Sequence, residues 1–201
     1  MKRFLNPVHL AALIILLYLG TACSASARGF SRPNGGSIAA DGSLYVMDKG
    51  NYRIVHLTSD GEFLQSFGKF GLREDNIYYG WDIQVGPDGN LYICNLVSNE
   101  NIMIADGVKV FSPPGDLVRE VGWVNYASEE DTANNPYALF VDRQGRVYIA
   151  DYNTGIVRVF SAQGELLTSL FADGSHQFGG LGDIVVDEEN HFLYAADFDQ
   201  G

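Results

Sequence analysis

Residues 44–68 read "LYVMDKGNYRIVHLTSDGEFLQSFG", two runs of strand-forming residues and a third beyond an Asp-Gly turn. The same order returns as "LYICN…VKVFSPPGDLVREVG" (91–122), as "VYIADYNTGIVRVFSAQGELLTSLF" (147–171), and in broken form as "LYAADFDQG" (193–201). Aligned on Tyr45, Tyr92, Tyr148 and Tyr194, the units are 47, 56 and 46 residues apart, the period of propellers and solenoids.

Working outward from that core, each unit opens on a short apolar strand: "GSIA" (36–39), "DIQV" (82–85), "ALFV" (138–141) and "DIVV" (183–186). Asp41-Gly42, Asp88-Gly89, Gln144-Gly145 and Glu189-Asn190 follow, pairs that supply the positive φ of two-residue hairpins. The tyrosine strand comes second, and "RIVHL", "VKVF" or "IVRVF" third. A second turn (Asp60-Gly61, Pro114-Gly115, Gln163-Gly164) leads to "EFLQSF", "DLVREV" or "ELLTSL". No helical period occurs after residue 30. The expectation is an all-β chain of four-stranded antiparallel blades starting near Ser31, Tyr79, Pro136 and Gly182.

"LYVMD", "GNYRIV" and "SDGEFLQSFG" together resemble the NHL repeat, and Pro136, "LFVD" and "VYIAD" extend the likeness to the third unit. The third unit has Ile156 where the repeat has Arg, and the second has Asn95 for the strand-ending Asp, plus an insertion. The resemblance covers 30–201 and implies a six-bladed, TolB-like β-propeller. Three complete units and half of a fourth are present, so the expectation is a reading frame continuing beyond Gly201, with an arc closed by a second chain as the alternative.

The formal charge of −12 disfavours nucleic acid as a partner, because phosphate binding needs a basic stripe. Residues 1–27 join Lys2 and Arg3 to an apolar run, "HLAALIILLYLG", and a small-residue exit, "TACSASA", the layout of an export signal. Two processing routes compete: lipoprotein cleavage before Cys23, which lipid then modifies, and ordinary cleavage after Ala27. Both put residues 28–201 outside the cytoplasm, in the periplasm or cell envelope or secreted, touching membrane only through the anchor or signal. Cys94 then remains the one thiol, expected as a small buried residue.

In this strand order the loops between units and those between second and third strands share one face, and both Gly turns share the other. The loop face carries 69–81, 96–107 and 123–135, all read as long loops where binding residues collect. They offer Tyr78, Tyr79, Trp123 and Tyr126 beside Glu129, Glu130 and Asp131, chemistry suited to a protein, peptide or glycan, with Trp81 expected in the core. A second constellation is the ring of Asp48, Asn95, Asp151 and Asp197 at second-strand ends, with Asp82 and Asp183 at first-strand starts. Converging carboxylates suit Ca²⁺. The competing reading makes each an acceptor for local backbone N–H groups.

No cofactor is called for. His56, His176 and His191 fall mid-strand, in a loop and in a turn, too dispersed for one metal, and no Gly-x-Ser-x-Gly or phosphate-cradling loop occurs. The expectation is a non-enzymatic binding module. The alternative is a metal-dependent propeller lyase or lactonase with ligands in further blades.

Overall fold

The computed structural model describes residues 29–71, 73, 75–99, 102–122, 135–171 and 178–198. Residues 1–27, read above as an export signal, lie outside them, Cys23 included. Blade 1 is β1 (Pro33–Ile38), β2 (Leu44–Asp48), β3 (Arg53–Leu57) and β4 (Phe63–Phe67). Blade 2 is β5 (Tyr79–Val85), β6 (Leu91–Asn99), β7 (Ile102–Phe111) and β8 (Leu117–Val121). Blade 3 is β9 (Pro136–Val141), β10 (Val147–Asp151), β11 (Val157–Phe160) and β12 (Leu166–Leu170). β13 (Leu181–Asp187) and β14 (Phe192–Asp197) form a two-stranded fourth sheet. All pairs are antiparallel, in chain order within each sheet.

Period-two alternation makes the blades stack. Tyr45, Met47 and Ile54 point from blade 1 onto Ile83, Leu91, Ile93 and Phe111 of blade 2. The opposite face of blade 2, with Tyr92, Cys94, Val108 and Val110, meets Leu139, Val147, Ile149 and Phe160 of blade 3. Ala138, Phe140, Tyr148 and Val159 then cover Leu181 and Ile184 of blade 4. First strands adjoin from blade to blade, β1 to β5 to β9 to β13, which places them innermost in a propeller arc. Side chains join these neighbours. Ser37 Oγ accepts the Val85 N–H at 2.9 Å. Gln84 accepts the Val141 N–H at 2.7 Å and donates to its carbonyl at 3.2 Å.

Four expectations are corrected. The six Gly turns are three-residue rather than two-residue hairpins. Gly42 N–H bonds Ala39 O while Ala39 N–H bonds Ser43 O, and the pattern recurs at Gly61, Gly89, Gly115, Gly145 and Gly164. Each is a type I turn closed by a left-handed Gly. In the fourth unit the matching positive φ belongs to His191, at 58°, and not to Asn190. The first strand of unit 1 is set one residue earlier than "GSIA", since Ser37 faces Tyr45 as Gln84 faces Tyr92. Finally, 96–107 is no long loop: β6 and β7 stay paired out to Asn99 and Ile102. The insertion therefore lengthens a hairpin.

Candidate functional site

Asp48 and Asp151, fully buried, and Asp197 end their second strands, whereas Asn95, also fully buried, does not, because β6 runs on past it to Asn99. Asp48 Oδ1 accepts the Ser31 N–H at 2.7 Å, and its Oδ2 takes Asn51 Nδ2 at 2.8 Å and Arg53 Nε at 2.7 Å. Asn95 Oδ1 accepts the Tyr78 N–H, and Asp197 the N–H groups of Gly179 and Gly180. In these three units the acceptor grips the segment that enters the first strand. Asp151 holds Asn153 and Thr154 N–H in its own loop and pairs with Arg158 at 3.3 Å. The oxygens tie loops to blades. Among the described residues no group of three His, Cys, Asp or Glu is placed to hold a metal.

Asp82 stands apart. Its Oδ1 accepts its neighbour Ile83's N–H at 2.8 Å and its Oδ2 the Leu139 N–H of the next blade at 3.0 Å. Burial raises its carboxyl to about 7 against those two hydrogen bonds, and the Asp183 charge pushes the same way. Asp183, at the matching position of β13, accepts its own Ile184 N–H.

The aromatic residues form a more extensive feature. Tyr78 lies 4.8 Å from Tyr79 and 4.9 Å from Phe70 between ring centroids, and Tyr52 lies 4.7 Å from Phe70. Phe70 is 56 % exposed, so this cluster opens to solvent. Lys49 Nζ connects it to the next group, 5.8 Å from the Tyr79 centroid and 2.8 Å from that of Trp81. Tyr137 stacks on Trp81 at 4.6 Å, and Tyr152 and Phe198 continue the series. With Lys49 on one face and Tyr137 on the other, Trp81 is held in place, in keeping with its expected packing role. The elements explain the row: Trp81 and Tyr137 hold matching places in β5 and β9, while Lys49, Tyr152 and Phe198 each directly follow a strand-ending Asp.

Of the residues singled out in the sequence, Tyr78 and Tyr79 are brought together here. Trp123, Tyr126, Glu129, Glu130, Asp131 and His176 lie outside the described residues. Sequence reading passed over Lys49, Tyr52, Phe70, Tyr137, Tyr152 and Phe198. The alignment on Tyr45 could have found three of them, because positions four residues after each aligned tyrosine are Lys49, Leu96, Tyr152 and Phe198. His56 stacks on Tyr45 at 4.0 Å and bonds Ser43 Oγ, a packing role, and burial lowers its imidazole. Cys94 is buried, and burial keeps its thiol well above the ordinary range, as a structural cysteine requires.

No protein-family model matches the chain. No curated protein matches it. Solved structures do. The hydrazine synthase of Kuenenia stuttgartiensis is similar with a TM-score of 0.58 at 14 % identity, over 87 % of this chain and 45 % of that one. Virginiamycin B lyase from Staphylococcus aureus gives 0.52 at 14 %, over 84 % and 56 %. A putative 6-phosphogluconolactonase from Bacteroides fragilis gives 0.51 at 20 %, over 82 % and 42 %. The chain spans about half the length of such structures. At these identities the likeness shows a propeller fold and nothing finer.

Proposed function

We infer that this chain is an exported, NHL-type propeller module that binds a protein, peptide or glycan through its loop face. One observation carries the reading: Tyr52, Phe70, Tyr78 and Tyr79 touch one another on that face, yet leave Phe70 more than half exposed. Aromatic rings clustered at the surface of a rigid scaffold are the usual anchors of recognition. The NHL assignment draws on the signature itself, since in "GNYRI" both Asn51 and Arg53 bind Asp48. In the unit that lacks this Arg, Arg158 reaches the equivalent Asp151 instead. Screening the full chain on peptide and glycan arrays tests the reading. Binding that Phe70→Ala abolishes, at an unchanged melting temperature, supports it; binding indifferent to Phe70 and Tyr78 sinks it.

The metal-dependent lyase or lactonase reading draws on Asp82, whose carboxyl near 7 beside Asp183 suits proton transfer. Elemental analysis of the purified protein separates the two: one tightly bound Zn²⁺ or Ca²⁺ per chain favours the enzyme.

A further inference from the structure

The charges on the loop face are selected in an unusual way. The chain has 25 acidic residues against 13 Lys and Arg, so a cation has carboxylates to choose from. Among the described residues Arg53, Lys69, Arg73, Arg119, Arg143, Arg146 and Arg158 each pair with one. Lys109 donates to backbone carbonyls, including that of Asn76 at 3.0 Å. Arg32 and Lys49 have no carboxylate among the described residues.

These two are neighbours. Ser31 O accepts the Gly50 N–H at 2.7 Å, and Pro33 faces Asp48 across the β1–β2 pair, so Arg32 runs alongside Lys49. Arg32 is held there at φ 47°, a conformation non-glycine residues seldom adopt. Asp48, next to Lys49 in the chain, is buried with its oxygens given to Ser31, Asn51 and Arg53. Burial first, and then the Arg32 charge, lower the Lys49 amine to about 8, so its charged form is held there without a compensating anion. An incoming anion supplies that compensation.

Given the loop face as a binding surface, we propose that Arg32 and Lys49 form an anion subsite beside the Tyr79–Tyr78–Phe70 row, and that the ligand is an acidic glycan. The rings offer flat apolar faces and three phenol groups (Tyr52, Tyr78, Tyr79) to sugar rings and hydroxyls, while the paired cations receive a carboxylate or sulfate. A peptide fits less well. The described strands meet this face end-on, so a peptide lying across it does not run alongside one.

The probe is an array of uronate-, sialate- and sulfate-bearing oligosaccharides with neutral counterparts and poly-glutamate peptides, read with the full chain at low and high salt. Expected is binding confined to the acidic glycans and weakened by salt. Lys49→Gln and Arg32→Gln each lower it by about tenfold or more, and Phe70→Ala removes it. Glu165→Gln on the other face, far from the site, leaves it unchanged. Equal binding of neutral glycans, lost in Phe70→Ala but kept in Lys49→Gln, overturns the anion subsite and spares the binding face. Preference for poly-glutamate overturns the glycan assignment. Absence of any binding overturns both.

Discussion

At the residue scale, two titratable side chains, Asp82 and His56, make opposite demands on pH. Asp82 has a folded value of about 7 against an ordinary 3.8, so between those values the folded chain keeps a proton that the unfolded chain has lost. Its contribution to stability therefore falls as pH rises from about 4 to 7, then levels off. His56 acts in the opposite sense: burial lowers its imidazole, so its neutral form is favoured and stability rises as pH passes upward through 6.5. Comparing wild type with Asp82→Asn cancels the histidine. The amide keeps an oxygen for the Leu139 N–H, so the variant gains relative stability as pH goes from 5 to 7.5. Urea midpoints at the two pH values measure this, and parallel curves would assign the titration elsewhere. Asp48 calls for a different change. Asp48→Ala removes the carboxylate that takes the Arg53 Nε and Ser31 N–H bonds and costs about 3–5 kcal/mol, read from the same urea curves.

At the scale of elements, what holds one blade to the next is apolar stacking plus a few side chains that imitate a backbone. Gln84 both accepts from and donates to Val141, as a strand neighbour would. Gln84→Leu keeps the volume but strands that N–H, at a cost of about 1–3 kcal/mol and with faster amide exchange at Val141. Hydrogen exchange on the variant checks it; unchanged protection at Val141 would show that the bond carries no load. The strands themselves were legible because alternation and Gly turns are local signals. The fate of 96–107 was not, since "LVSNENIMIADG" has polar residues in loop-like order and its pairing comes from β6 and β7 simply continuing. The turn type was half legible: Gly42 and its counterparts mark positive φ, but where the Gly falls relative to the first pair shows only in hydrogen bonds. At the site, Tyr78 and Tyr79 stood out by residue type, whereas Lys49 and Arg32 matter only through the carboxylates they lack.

At the scale of the whole molecule, the two ends of the arc differ. The outward face of blade 1, with Leu44, Val46, Val55 and Leu57, is buried, and Phe30, Ile38 and Phe63 pack on it. The outward face of the fourth sheet is open: Phe192 is 57 % and Tyr194 44 % exposed, their rings 6.4 Å apart. No described strand pairs with the free side of β14. An apolar sheet face beside an unpaired edge is the arrangement through which β proteins join each other. The expected behaviour of the 201-residue chain is therefore reversible self-association that increases with concentration. Phe192→Lys with Tyr194→Lys places charge on the exposed positions of β14 while leaving Leu193 and Ala195, which pack inward, untouched. Sedimentation velocity over a hundredfold concentration range reads the outcome. The double variant should sediment as a monomer where the wild type does not, and identical profiles for the two would place the association surface on another part of the arc.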